Sequence, residues 1–284
     1  MKSLIKVFYS IIVSIIFILF SCSENGKDEV KSMLSTTSTP SPETSIFEPG
    51  CLFQGGTVTT TTVHVKPDIP TIIDPAIIGD CEVTVEYQVG VRDVGTPKLP
   101  KYEFQYFKCQ IQIPPTPECD ALNAYLSSLT EEELEDKMQA IYDYVCPKGV
   151  VVDMKERLLI NNVTCPDHYS RVELVELKCW GLCVQKVCIE SLKKGDNAQM
   201  GLRGSSSGYC YYVGERIACG TACCKLKADF CLSDGEVQIS NTLRTEIGNC
   251  SSSGNVHCID PKTGKENPKD IPCNSGCQER DFSI

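Results

Sequence analysis

The 284-residue chain predicts an α+β fold: an antiparallel sheet with two short helices, followed by a disulfide-rich, mainly β C-terminal half. Three observations carry that expectation. Residues 81–91 alternate strictly between apolar and polar side chains. Residues 130–146 open on a helix cap and continue at helical spacing. Nine of the nineteen cysteines crowd into residues 210–277, where few apolar side chains separate them.

The first expected strand is residues 57–65, β-branched almost throughout and so suited to a pleated, half-buried surface. Residues 68–75 read as an extended connector, because Ile69 and Asp74 each precede a proline and are pushed out of helical geometry. In the second strand Cys81, Val83, Val85, Tyr87, Val89 and Val91 share one face and Glu82, Thr84, Glu86 and Gln88 the other, which implies a sheet with one wet side. Residues 102–113 form a third strand in which Tyr102, Phe104 and Tyr106 have one parity and Phe107, Cys109, Ile111 and Ile113 the other. A bulge near Tyr106 and Phe107 would keep both sets inside, and residues 95–101 would close a hairpin.

Residues 119–126 offer a short helical turn. Thr130 with Glu133 then forms a capping box, and Leu134, Met138, Ile141, Tyr142 and Val145 mark one helical face as far as Cys146, where Pro147 and Gly149 are expected to end the helix. A return strand follows at 171–180, carrying Trp180, the single tryptophan. Polar, glycine-rich residues 191–208 read as a linker or long loop. They divide an α+β domain at 51–190 from a cysteine-rich β domain at 209–284, with strands expected at 209–213, 222–232 and 236–240 and a charged loop at 262–269.

The disulfide-forming set is Cys51, Cys81, Cys109, Cys119, Cys146, Cys165, Cys179, Cys183 and Cys188 before residue 191, and Cys210, Cys219, Cys223, Cys224, Cys231, Cys250, Cys258, Cys273 and Cys277 after it. Nine on each side is odd, so full pairing requires an odd number of bridges between the halves. Cys179 and Cys183, Cys219 and Cys223, and Cys273 and Cys277 are each four residues apart. On a strand that is about 13 Å, whereas a disulfide needs Cα atoms within about 7 Å, so each must pair elsewhere. Cys223 and Cys224 point to opposite faces and should bond to two different segments. No Cys-x-x-Cys occurs and only His64, His168 and His257 are present, which argues for disulfides in an oxidising compartment rather than for metal.

The N-terminus gives the address. Lys2 and Lys6 precede residues 7–20, fourteen residues without a charge, shorter than the roughly 20 a spanning helix needs. Leu19, Phe20, Ser21 and Cys22 follow in the order of a lipobox, and the segment resembles the signal peptide of bacterial lipoproteins, in a style similar to those of Bacteroidota. The resemblance implies cleavage after residue 21, acylation of Cys22 with fatty chains such as palmitate, and a location at the outer membrane, on the periplasmic face or the cell surface. Residues 22–50, rich in Ser, Thr, Pro and Glu, read as a flexible tether spanning roughly 30 Å.

Removing residues 1–21 takes away two lysines and no acid, so 27 basic residues fall to 25 against 37 acidic ones, a net charge of −12 with histidine neutral. Such a chain is repelled by nucleic acid. Chemistry is sparse. Residues 204–208 (Gly-Ser-Ser-Ser-Gly) match a nucleophile elbow in letters but lack its strand-to-helix setting. His168 beside Asp167, and His257 near Asp260, give no triad geometry by adjacency alone. No phosphate loop, calcium loop or cofactor fingerprint occurs, so no cofactor is expected. The resulting expectation is a lipid-anchored envelope protein with a binding or assembly role, its partners the membrane and other envelope proteins or an extracellular ligand. A structural subunit of a surface machine and an extracytoplasmic hydrolase are the alternatives.

Overall fold

The computed structural model describes residues 47–95, 101–189, 209–250, 255–259, 266–278 and 281–282. The signal peptide with Cys22, most of the tether, residues 191–208 and the serine-rich loops at 204–208 and 251–254 lie outside the described residues.

The chain is α+β and disulfide-rich, built on one large mixed sheet. Strands β1 (Thr57–Val65), β2 (Val83–Asp93) and β3 (Tyr102–Ile113) pair antiparallel in succession. On its other side β3 has two neighbours. Its first half pairs in parallel with β4 (Ser170–Leu177), which continues through β7 (Cys223–Ser233) to β8 (Glu236–Ile247). Its second half pairs antiparallel with β6 (Tyr209–Ala218), which continues to β5 (Cys179–Ile189) and the two-residue β11 (Asn274–Ser275). A separate hairpin of β9 (Asn255–Ile259) and β10 (Glu266–Pro272) covers β5: Val256 and Ile271 sit against Gly181, where a side chain would collide with them.

Among the described residues the α-helices are α1 (Pro75–Ile78), α2 (Asp120–Ser128) and α3 (Glu131–Ile160). The extended connector is therefore shorter than expected, because the Asp74 carboxylate accepts from the Ala76 amide and nucleates α1 with Pro75 in its first turn. The capping box at Thr130 and Glu133 forms as expected. The stop at Pro147 does not. Helix α3 runs on for thirteen residues beyond the proline. Val150, Met154 and Leu158 continue the buried stripe, each about fully buried. Such a side chain contributes about 1.5–3 kcal/mol, while an interior proline costs about 3 kcal/mol; three together outweigh it. The Cys109–Cys146 bridge also pins the helix to β3 one residue before the proline.

Helix α3 packs against every strand from β1 to β8, so the sheet curls around it and the main core lies between them. The bulge in β3 falls at Lys108 and Cys109, two residues beyond the expected pair: both oppose Tyr87, and Lys108 takes a φ of 52°. It moves the inward parity from Phe104 and Tyr106 to Cys109, Ile111 and Ile113. Phe107 is left on the outer face, buried under Phe47 in an edge-on ring contact.

The strand expected at 171–180 is two, β4 and β5, separated at Lys178, and β6 and β8 extend beyond their expected ends. The expected charged loop at 262–269 is also shorter, since β10 begins at Glu266 by pairing with Ile259. The expected division into domains at 51–190 and 209–284 is corrected: residues 42–284 form one compact unit. The reason is the sheet itself, in which β6 lies between β5 and β3 while β7 pairs with β4, so strands from both segments interleave.

All eighteen cysteines of the expected set are paired. Five bridges join the segments before and after residues 191–208: Cys51–Cys223, Cys165–Cys231, Cys179–Cys250, Cys183–Cys258 and Cys188–Cys210. Cys81–Cys119 and Cys109–Cys146 lie within the first, Cys219–Cys273 and Cys224–Cys277 within the second. The crossing number is odd, no pair four apart bridges itself, and Cys223 and Cys224 bond to different segments.

Candidate functional site: a cleft where the sheet forks

The bulge that rearranges β3 also forks the sheet. Residues Glu103–Tyr106 pair with β4 and Gln110–Ile113 with β6, so among the described residues Phe107 to Cys109 have no strand on that side. The ends of β4 and β6 diverge from this point. Between them lies a cavity of about 260 Å³, lined by Lys108 and Cys109, by Val175 to Leu177 of β4, by Glu215 to Ala218 of β6, by Tyr142 of α3 and by Phe47.

Arg216 dominates its electrostatics. Its side chain is only 4% exposed, with Nη2 2.8 Å from Asp143 Oδ1 and Nη1 3.5 Å from Glu176 Oε1. The guanidinium lies over the Trp180 ring at 3.9 Å from the centroid and near the Tyr142 ring at 4.8 Å. Gln139 donates to the same Asp143 oxygen. One buried cation thus faces two carboxylates and two rings, and the planar fork of arginine suits all of these contacts at once. Tyr142 is held in turn by donating its hydroxyl to the Cys109 carbonyl at 3.0 Å. The cleft therefore mixes apolar side chains with charged ones, Lys108, Glu176, Glu215 and Arg216, the last fixed by its carboxylate partners.

A second polar constellation is sealed in the core. Asp153 of α3 accepts from the Tyr106 hydroxyl at 2.5 Å, from Arg157 Nε at 2.5 Å and from Thr61 Oγ1 at 2.9 Å. Burial, and then the Asp153 charge, push the Tyr106 phenol well above its ordinary value, so it remains a donor. This network ties α3 to β1 and β3.

The outer face of the sheet carries a third. Arg92, Glu103, Arg171 and Asp229 stand opposite one another across β2, β3, β4 and β7, alternating in charge, and Asn241 of β8 donates to Asp229. In the next row Gln105 and Lys227 reach Glu173 at 2.8 and 2.6 Å, and Lys225 at 3.4 Å. Burial raises the Glu173 carboxyl, but Lys227, Lys225 and Gln105 outweigh it and hold it below its ordinary value.

None of the three histidines lines the cleft. His64 lies 3.4 Å from Thr84 Oγ1 and His257 3.4 Å from Asp270, both exposed, and His168 is exposed in the turn before β4. Glu133 serves the helix cap. Arg216 is the residue that sequence reading passed over. Its signal is parity: Tyr212, Gly214, Arg216 and Ala218 share a strand face that is otherwise small or apolar.

No family model matches this chain, and no curated protein or solved structure matches it either. The functional reading rests on the residues themselves.

Proposed function

We propose that this chain is an exported bacterial lipoprotein held at the outer membrane by acyl chains on Cys22, with a binding or assembly role rather than a catalytic one. One observation carries the reading. The eighteen cysteines from Cys51 onward are consumed by one another in nine bridges. That leaves Cys22, the nineteenth, with no cysteine in the chain to pair with. A thiol so placed, directly after an apolar run ending in Leu19, Phe20 and Ser21, suits acylation, and nine bridges suit an oxidising compartment. The cleft supports the binding part, since it sets apolar side chains beside polar groups fixed around Arg216.

Metabolic labelling with an alkyne fatty acid tests the anchor. The chain should carry label and partition into the detergent phase, and Cys22→Ser should lose both. A labelled C22S chain, or an unlabelled wild-type one, refutes the anchor. Crosslinking followed by affinity capture from membranes tests the role: a stoichiometric partner supports it, and recovery of free monomer alone counts against it.

A further inference from the structure

Strand β8 is the longest open edge of the sheet among the described residues. Strand β8 runs for twelve residues and pairs only with β7, and among the described residues no strand lies on its far side. Residues 240–246 are all exposed, among them Leu243 at 55%. An edge of this length presents a row of backbone donors and acceptors that templates another strand unless something blocks it. No proline stands in β8, and the irregularity near Asn241 is over before Leu243, from which the register with β7 is regular through Ile247.

That regular stretch reads Leu243, Arg244, Thr245, Glu246, Ile247. Laid antiparallel on its own copy about Thr245, it sets Leu243 opposite Ile247, Arg244 opposite Glu246 and Thr245 opposite itself. Directly opposed residues of an antiparallel pair share a face and interact. Every pair is then favourable: two apolar, two oppositely charged, one threonine pair on the axis. Of the other edges, β1 has no charged residue with which to specify a register, and β5 is capped at its start by β11. We infer that β8 is the homodimer interface of this protein, pairing antiparallel with β8 of a second copy about Thr245 and joining two sheets into one. A two-fold axis makes such an interface isologous and closed.

The tether meets the folded unit beside that axis. Glu48 donates its amide to the Thr221 carbonyl at 2.7 Å, its carboxylate lies against Gly248, and Cys51 is bridged to Cys223, which pairs with Ile247. Gly248 is three residues from Thr245, about 10 Å along the strand. The two tethers of a dimer therefore start about 20 Å apart, within the roughly 30 Å reach of each, and both copies fit on one membrane. Only this last point rests on the proposed anchor; the pairing rests on the strand.

Charge reversal tests the register. The mature chain in detergent should sediment as a dimer. R244E sets a carboxylate against Glu246 at both symmetry-related positions, and E246R sets a guanidinium against Arg244 at both, so each variant alone should dimerise at least tenfold more weakly. Mixed in equal amounts, the two variants complement each other: an R244E homodimer opposes carboxylates at both positions and an E246R homodimer opposes guanidinium groups at both, whereas the mixed dimer places the two acids of one strand against the two bases of the other. The mixture should therefore recover the dimer mass. Glu246 also meets Lys178 at 2.8 Å within its own chain, so thermal unfolding of E246R checks that it is folded; if it is not, R244E mixed with wild type should give an intermediate affinity. A wild-type chain that stays monomeric at high micromolar concentration, a single reversal without effect, or a mixture that stays monomeric would each overturn the interface. The mass readout is the same whether or not Cys22 is acylated, so failure of the anchor leaves the result interpretable.

Discussion

Gly149→Ala is the sharpest probe of how α3 sits in the sheet. A helix interior ordinarily gains about 1 kcal/mol when glycine becomes alanine. Here the added Cβ would overlap the Tyr87 hydroxyl, stand 3.0 Å from Val63 Cγ2 and 3.3 Å from Tyr87 Cε2. Tyr87 is fully buried and donates to the Cys146 carbonyl, so it has nowhere to move without losing that bond. Overpacking costs about 1–3 kcal/mol and a lost hydrogen bond about 0.5–1.5 kcal/mol. Set against the propensity gain, the net is a destabilisation of about 1–3 kcal/mol. In a Tyr87→Phe background the worst overlap is gone, and the same substitution should be near neutral. Denaturant unfolding of the oxidised protein, followed through the single Trp180, gives the double-mutant cycle and its coupling energy. A Gly149→Ala protein more stable than wild type, or an effect unchanged by Tyr87→Phe, would refute the close approach of α3 to β2.

Three further outcomes follow from the same geometry. Arg216→Ala should destabilise the protein by about 3 kcal/mol, at the low end for a broken buried pair because Asp143 is partly exposed while Glu176 loses its buried cation. It should also shift Trp180 emission, which a purely remote effect on stability would not do. Glu173, held below the ordinary carboxyl value in the folded state, contributes stability that is fully present above the unfolded value of about 4.3. That stability is lost as pH falls through the lower folded value, so Glu173→Gln should flatten the acid limb of a stability–pH curve. Non-reducing peptide mapping should find the nine bridges, five of them across residues 191–208; a vicinal Cys223–Cys224 bridge would contradict the arrangement of β7.

Much of the local structure was legible because it is decided locally. Thr57–Val65 and Tyr102–Ile113 begin and end where branching and parity say they should, and the capping box at Thr130 is self-contained. What escaped is decided at a distance. Pro147 looks like a helix stop until Tyr87, Cys109 and the buried Val150–Met154–Leu158 stripe are in place around it. The second half of β8 is exposed on both sides and so carries no period-two signal. The parallel pairing of β3 with β4 spans about seventy residues of chain and leaves no local mark. The cleft belongs wholly to this class, since it exists only because β3 takes two different neighbours.

A fork in a sheet is a weak point, because the hydrogen-bond ladder is interrupted where the strands part. The bridges lie where that weakness would be felt. Cys109, at the bulge itself, is tied down to α3 through Cys146; β7, which backs the β4 wall, is tied through Cys223 to Cys51; β5, which backs the β6 wall, is tied through Cys179 to Cys250. The strand behind each wall is thus fastened to a different part of the chain. The five crossing bridges and the interleaved sheet agree: β3 draws β4 from before residues 191–208 and β6 from after them. Bridges placed there cut the number of arrangements the neighbouring strands can take, which is how a site at a fork would be preorganised.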